Sequence, residues 1–413
     1  MKKIIVIGAG PAGMMAAIKA AENGAEVLLL EKMERVGKKM AITGKGRCNI
    51  TNAADLPEII KNITGNGIFL NSVLHAFDNE AVMDFFREND VPVKVERGGR
   101  VFPVSDKAAD AVEALLHRMH FLGVQIETKQ AVEEILTEEG RACGVKTAAG
   151  RTLTADAVIL CVGGASYPRT GSSGDGYEMV RKLGHTVTPL RASLVPLESD
   201  EEWVRDMQGL SLRNVQAVLL ADGKEADRAF GEMMFTHFGV TGPIILSLSR
   251  TAAKYLDRKA AVELVIDLKP ALPAEKLDLR LQRDFEKYAR KQVKNGLNDL
   301  LPAKMIEPFI DLTYIDPDKP IHQVTKAERQ RIAALMKHMV VPIAKTRPLS
   351  EAIVTAGGIS VKEIQPKTME SKLVPGLYFA GEIVDVDGFT GGYNLQAAFS
   401  MGAAAGCWSV WNN

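Results

Sequence analysis

The sequence predicts an α/β fold in which both ends of the chain build one domain and the middle forms an insert. Three observations carry this. Lys2–Ile7 is a β-branched run without alternation, the pattern of a strand buried on both faces of a parallel sheet. Ala157–Val162 repeats that pattern and ends in Gly163-Gly164. From about Glu351 a glycine-rich strand, loop and helix texture returns, after a middle region of a different character.

Taken in order, Pro11–Asn23 reads as a helix closed by Gly24, and Glu26–Leu30 as the next strand, completing a β-α-β unit. Lys107–Leu122 is an amphipathic helix closed by Gly123, with a strand over Val124–Glu127. Ala131–Leu136 and Ala142–Thr147 flank a Glu139-Gly140 turn as a hairpin. Beyond residue 190, Gln216–Leu220, the Asp222-Gly223 turn and Glu225–Phe230 predict antiparallel strands. Helices are expected over 274–294 and 326–338, punctuated by prolines. The expected division is residues 1–190 with 351–413, and an insert over 191–350.

Composition narrows the class. The 413 residues are 46% apolar and 25% charged, ordinary for a globular protein. Lys and Arg total 51 and Asp and Glu 51, so no global field draws in nucleic acid or a membrane surface. Cys48, Cys143, Cys161 and Cys407 form neither a C-x-x-C pair nor a metal-ligand spacing, and His117 with His120 lacks a third ligand. No metal is expected. The apolar opening is broken by Gly8, Gly10, Pro11 and Gly13 without a cleavage pattern, and no uncharged run is long enough to span a bilayer. A cytoplasmic chain that keeps its N-terminus is expected. Without G-x-S-x-G, Walker A or H-E-x-x-H, hydrolase and NTPase chemistry falls away.

The chemistry lies in the glycines. Gly8-Ala9-Gly10-Pro11-Ala12-Gly13 is G-x-G-x-x-G between strand and helix. Such a turn lets backbone approach a pyrophosphate at a positive helix end. Glu31, eighteen residues after Gly13, closes the second strand where an acid binds ribose hydroxyls. Val158–Gly164 and the stretch from Gly376 to Gly402 supply two more glycine-rich passes. In the latter, Gly391-Gly392 opens a small-residue helix aimed at a developing negative charge, which suits a reduced flavin. Gly171–Gly176 has the wrong order of glycines for a second dinucleotide fingerprint. NAD(P)H would therefore visit the flavin as a transient donor, unless dioxygen is the acceptor.

Four segments carry a family resemblance: GAGPAG at 8–13, GKKMAITGKGRCNITN at 37–52, MFTHFGVTGP at 234–243 and GEIVDVDGFTGGYNLQ at 381–396. Across essentially its whole length the chain resembles flavoproteins that include BaiN-type proteins, aminoacetone oxidase and a ribosomal-RNA dihydrouridine synthase. The resemblance implies FAD in a discontinuous, glutathione-reductase-like Rossmann domain. It also implies an insert with a β-barrel part, about 191–270, and a helical part, about 271–350.

Carried over, Gly8, Gly10, Ala12 and Gly13 meet the pyrophosphate and Glu31 the adenosine ribose, with Pro11 and Lys32 also among the cofactor-binding residues. Lys38, Lys39, Thr43, Gly44, Gly46, Arg47, Cys48 and Asn49 run towards the flavin, with Val132 at adenine and Gly163-Gly164 passing the dinucleotide. Gly381, Glu382, Asp385, Asp387, Gly392, Tyr393, Asn394 and Leu395 match the ribityl and flavin segment. Lys38 stands where the family commonly has Arg, so a bidentate phosphate clamp is not expected there.

Catalytic candidates are Arg47 and Asn49 as donors to a substrate carbonyl or the flavin. Cys48, with a thiol pKa lowered by Arg47, and His237, in Thr236-His237-Phe238-Gly239, are candidate acids. The expected reaction is FAD-dependent oxidation or reduction of a small carbonyl, amine or enone. Reduction of uridine in ribosomal RNA is the alternative, and a redox sensor without turnover a third. Residues 280–350 hold 14 Lys/Arg against 8 Asp/Glu, and Arg283, Lys287, Arg290, Lys291 and Lys294 are expected on one helix as an RNA footprint.

Overall fold

A computed structural model describes residues 1–412. The chain divides into two compact units, Met1–Ala192 with the chain from Leu349 onward, and Ser193–Pro348.

The first unit is built on a five-stranded parallel sheet in the order Leu377–Phe379, Ala157–Leu160, Lys3–Ile7, Glu26–Leu30, Gln125–Glu127. Ile4, Ile5, Val6 and Ile7 are all buried, as a strand covered on both faces requires. The first helix, Pro11–Glu22, starts with proline in its first turn, where the missing N–H costs nothing. The C-terminal helix, Tyr393–Trp411, packs along it through two glycines. A Cβ on Gly402 would lie 2.3 Å from the Ala12 carbonyl oxygen, and one on Gly406 2.3 Å from that of Ala16. Contact thus advances from 12 to 16 as it advances from 402 to 406, so the two helices run parallel.

Smaller sheets flank this core. Val132–Glu138, Arg141–Thr147 and Thr152–Thr154 form one, with Glu139 and Gly140 turning at positive φ. Thr51–Asn52, Arg100–Pro103 and Val93–Val95 form the other.

A buried polar latch ties the outer segments. The Ser371 hydroxyl oxygen accepts from the backbone N–H groups of Leu373 and Val374, at 3.0 and 2.8 Å, so its own hydrogen goes to His185 Nε2 at 2.9 Å. His185 Nδ1–H then donates to Glu363 at 3.2 Å, and the ring lies edge-on to Phe379. With both lone pairs of Ser371 taken, a second imidazole proton would face a donor. Burial pushes the His185 pKa down, opposed by Glu363. The unfolded chain therefore takes up the proton first. The latch contributes fully above the ordinary histidine pKa of about 6.5, and its contribution falls as pH drops below it. The midpoint of thermal unfolding should decline between about pH 7 and pH 5, and less so in His185→Phe. Identical pH profiles for the two proteins would remove the latch from the account.

The second unit carries a seven-stranded antiparallel sheet in the order Met339–Ile343, Val262–Asp267, Ser211–Ala221, Lys224–Thr236, Gly239–Thr241, Leu197–Glu198, Lys345–Thr346. Asp222 and Gly223 both have positive φ, as a tight hairpin turn demands. The two edge strands are separated in sequence only by Ala344. Laid flat, seven strands would hold their edges about 29 Å apart, yet Ile343 and Lys345 span at most about 7 Å. The sheet is therefore strongly curled. Among the described residues no ladder joins its edges, so the expected barrel is not established.

One expected helix differs. Ala274–Lys287 buries Leu277 and Leu281 and then stops, and Val293–Gly296 forms a separate turn. Arg290, Lys291 and Lys294 thus leave the helix that holds Arg283 and Lys287.

Candidate active site

The glycine-rich segments converge within the first unit. Gly8 has φ +96°, and a Cβ there would lie 2.6 Å from the Cys161 carbonyl oxygen. On Gly13 it would sit 1.9 Å from the Gly8 oxygen. Both glycines are required by the protein's own packing. Gly10 is not. Its φ is −80°, and a Cβ there would meet nothing within 4 Å. A bare backbone facing open space at a helix start leaves room for a ligand to approach its N–H groups.

Two helix N-termini open on the same side. The C-terminal helix starts nine residues before Gly402, whereas the first helix starts one residue before Ala12. At 1.5 Å per residue, Gly392 stands about 12 Å beyond Gly10 along their shared direction. Both ends present free N–H groups and positive dipole ends. Gly392 can approach Thr51 because it lacks a side chain, since a Cβ would fall 2.3 Å from the Thr51 carbonyl. Gly381 lies against Ala12 in the same way, 2.9 Å from its Cβ.

Glu31 is buried beside the first helix start. Its carboxylate accepts from the backbone N–H groups of Ala9 and Met33, both at 2.8 Å, which leaves lone pairs for hydroxyl donors. Val132 opens the adjacent hairpin, and the Gln130 N–H bonds to the Glu31 carbonyl. Lys32 is paired with Asp175 at 2.8 Å, and Lys38 with Glu34 at 3.0 Å.

The segment from 38 to 49 is helical to Ile42, then breaks. Thr43 is extended and its hydroxyl caps the Met40 carbonyl, while Gly44, Lys45 and Gly46 turn left-handed. Lys39 crosses to the C-terminal segment, donating to Glu382 at 2.6 Å and Ser166 at 2.7 Å. Glu382 also accepts from Ser166 and the Thr355 N–H, and these donors hold its pKa down against desolvation. Gly163 and Gly164 sit against Ser172 and Thr355, where a side chain would collide. Ser166 and Thr355 were not foreseen, since no local pattern announces a partner so distant in sequence.

Arg47 and Cys48 point opposite ways. Arg47 donates to Glu96 and Asp106, and its guanidinium lies 4.1 Å from the Phe102 ring centroid. Cys48, at φ +60°, is fully buried, and burial pushes its thiol up to about 12. The expected lowering by Arg47 is thus overturned: adjacent in sequence, the two groups occupy different environments. Asn49 Oδ1 is buried without a hydrogen-bond partner, an acceptor that calls for an external donor.

At the other end, Asn52 Nδ2 donates to the carbonyls of Gly98 and Gly391 at 3.0 and 2.9 Å. Asn394, in the first turn of the C-terminal helix, exchanges hydrogen bonds with the backbone of Gly388, while Tyr393 and Asp387 are buried and Leu395 is half-buried. The Asn66 side chain donates to the Asp385 carbonyl at 2.7 Å.

In the second unit, His237 is exposed at the tip of a two-residue hairpin, Thr236 pairing with Gly239. Its ring meets Phe238 edge-on, and Phe238 is covered by Arg347, itself bonded to Glu198.

Residues 2–408 match the family described as HI0933-like protein Rossmann domain. The chain belongs to this family. It is 33% identical to a 3-dehydro-bile acid delta(4,6)-reductase from Clostridium scindens, over 98% of each chain. It is 30% identical to a ribosomal RNA dihydrouridine synthase from Escherichia coli, covering 96% of this chain and 95% of that one. In fold it is similar to a 3-ketosteroid delta1-dehydrogenase from Sterolibacterium denitrificans (TM-score 0.55, 12% identity, all of both chains). A flavocytochrome c3 fumarate reductase is also similar (TM-score 0.54, 15% identity, 99% of this chain and 78% of that one). This HI0933-like chain is an FAD-dependent oxidoreductase with a Rossmann nucleotide-binding domain. Among its described residues no helix is long and apolar enough to cross a membrane, and no group of three or more His, Cys, Asp or Glu could hold a metal.

Proposed function

We propose that this HI0933-like chain reduces a small carbonyl, amine or enone at FAD with NAD(P)H visiting the same face as electron donor, or oxidises such a molecule with dioxygen taking the electrons from the flavin. FAD supplies the hydride chemistry, and the protein supplies position, polarity and a proton. The parallel pair of helix starts at Gly10 and Gly392 carries the reading: one suits a pyrophosphate, and the other a ring that becomes negative on reduction.

In this reading Gly8–Gly13 receive the pyrophosphate and Glu31 the adenosine ribose. Lys39 holds Glu382 and so fixes the loop before the last helix. Arg47, whose donors are spent on Glu96 and Asp106, clamps the broken segment that presents Asn49. Asn49 Oδ1 accepts a hydrogen bond from cofactor or substrate. His237 is the candidate acid. Cys48, buried and high in pKa, serves packing.

The ion pairs of the insert favour a small substrate over RNA. Lys287 is paired with Asp299 at 2.9 Å and Lys294 with Asp318 at 2.6 Å, so two of the five residues of the expected basic footprint are matched by acids, and the five do not share one helix. Anaerobic reduction of the flavin by NADPH and NADH, followed by reoxidation with a 3-keto steroid enone or unmodified ribosomal RNA, tests the reading. Reoxidation by RNA alone would replace it.

Replacing Glu31 with Ala should weaken FAD binding by about 1–3 kcal/mol, the scale of hydrogen bonds to a charged group. Titration of the apoprotein with FAD measures this. An unchanged dissociation constant would take the ribose contact away from Glu31.

A further inference from the structure

The turn from Glu96 to Arg100 has no part in the cofactor scheme, yet it is fixed beside the flavin-facing helix start. Glu96 N–H donates to the Arg100 carbonyl at 2.8 Å, and Gly99 N–H to that of Glu96 at 3.1 Å. Ala53 N–H bonds to the Gly99 carbonyl at 2.7 Å, and a Cβ on Gly99 would lie 2.4 Å from Asn52 Oδ1. The amide of Asn52 holds the Gly98 and Gly391 carbonyls together, so the turn and Gly391-Gly392 are immediate neighbours. Arg97 and Arg100 flank the two glycines, and both are exposed.

Their charge is in surplus. Around them, Lys94, Arg97, Arg100 and Lys107 face only Glu96 and Asp106 between residues 94 and 107. Asp106 is engaged by Lys94 and Arg47, and Glu96 by Arg47. Arg100 reaches Glu96 only at 4.0 Å, while its Nε donates to the Arg97 carbonyl at 3.1 Å. Two solvated guanidinium groups on a rigid turn, next to a positive helix end, form an anion-binding rim.

We propose that Arg97 and Arg100 recognise an anionic group, carboxylate or phosphate, on the molecule that reacts at the flavin. This rests on the proposed function for where the reaction occurs, and it moves anion recognition from residues 283–294 to the first unit. Arginine suits the role because its planar fork meets two oxygens at once.

The test titrates the FAD-loaded protein, following the flavin absorption band, with matched probes: cholate against methyl cholate, and a short oligouridylate against uridine. In Arg97→Gln/Arg100→Gln, the dissociation constant for the anionic member of a pair should rise about ten-fold, and that of its uncharged partner less than about two-fold. Whether cholate or oligouridylate shows the effect tells carboxylate from phosphate. FAD content should match the wild type. If it does not, Arg97→Lys/Arg100→Lys, which keeps the charge, should bind the anion between wild type and the Gln pair. Equal changes for charged and uncharged probes, no change, or no response of the wild-type flavin to any probe would overturn the rim. These titrations need no turnover, so a protein that binds anions through the rim but is reduced by neither nicotinamide fails the proposed function alone.

Discussion

Gly10→Val is expected to give a folded protein with a weakened hold on FAD. The position has φ −80° and ψ −177°, which a β-branched residue adopts easily, and a Cβ there touches no protein atom. Packing therefore loses nothing, and the cost at the helix cap is small beside the fold. FAD loses the close approach of its pyrophosphate to backbone N–H groups, worth about 1.5–3 kcal/mol, so binding should weaken by ten-fold to a hundred-fold. Gly13→Ala behaves differently, because its Cβ would overlap the Gly8 carbonyl oxygen at 1.9 Å and push helix from strand. It should lower stability and cofactor content together. Calorimetry of both apoproteins beside FAD titration separates the cases. If Gly10→Val retained FAD at wild-type affinity, the open space at Gly10 would not be the pyrophosphate cradle.

Gly406→Leu should strongly destabilise the first unit. The Cβ alone would fall 2.3 Å from the Ala16 oxygen and 2.9 Å from the Lys19 Cβ, and the remaining side chain has to enter the same seam. Forcing atoms into such a contact costs about 1–3 kcal/mol, and more where backbone is the obstacle. For a unit of this size the unfolding midpoint should fall by roughly 5–10 °C. Displacing the C-terminal helix also shifts Gly392 relative to Gly10, so FAD should be lost at lower temperature than the fold. Gly406→Ala should lie between wild type and Leu. A midpoint within about 2 °C of wild type would mean that the helices do not depend on this contact.

Local features of the first unit were legible from sequence. A β-branched strand, a glycine turn, proline in the first helical turn and a closing acid all lie within thirty residues, where periodicity and turn chemistry speak directly. What was not legible depends on contacts across the chain. Lys39 and Glu382 meet across 343 positions, and nothing near either one announces the other. Cys48 was misjudged because adjacency suggested a shared environment, whereas a left-handed backbone turns the thiol inward and leaves Arg47 outside. The basic run from 283 to 294 reads as one helix by composition. Yet the chain leaves the helix at Tyr288, whose hydroxyl bonds to Asp299 at 2.6 Å, and Lys291 lies over the Tyr288 ring. Asn49 stands inside a recognised segment, but only the folded chain shows its side-chain oxygen left without a donor.

The helix seam and the central sheet also impose an order of assembly. Strand Leu377–Phe379 pairs with Ala157–Leu160, and the helix that follows packs on residues near the start of the chain. Ribosomal synthesis therefore delivers the insert before these closing pieces exist. The strands from 197 to 346 find partners among themselves and can collapse early. The earlier half of the first unit must meanwhile wait with the hydrophobic flank of Ala157–Leu160 uncovered, a state prone to off-pathway association. Such long-range closure makes for slow maturation. Free FAD during translation would then be captured only after the insert has been made, and the yield of active protein would depend on how long that flank stays exposed.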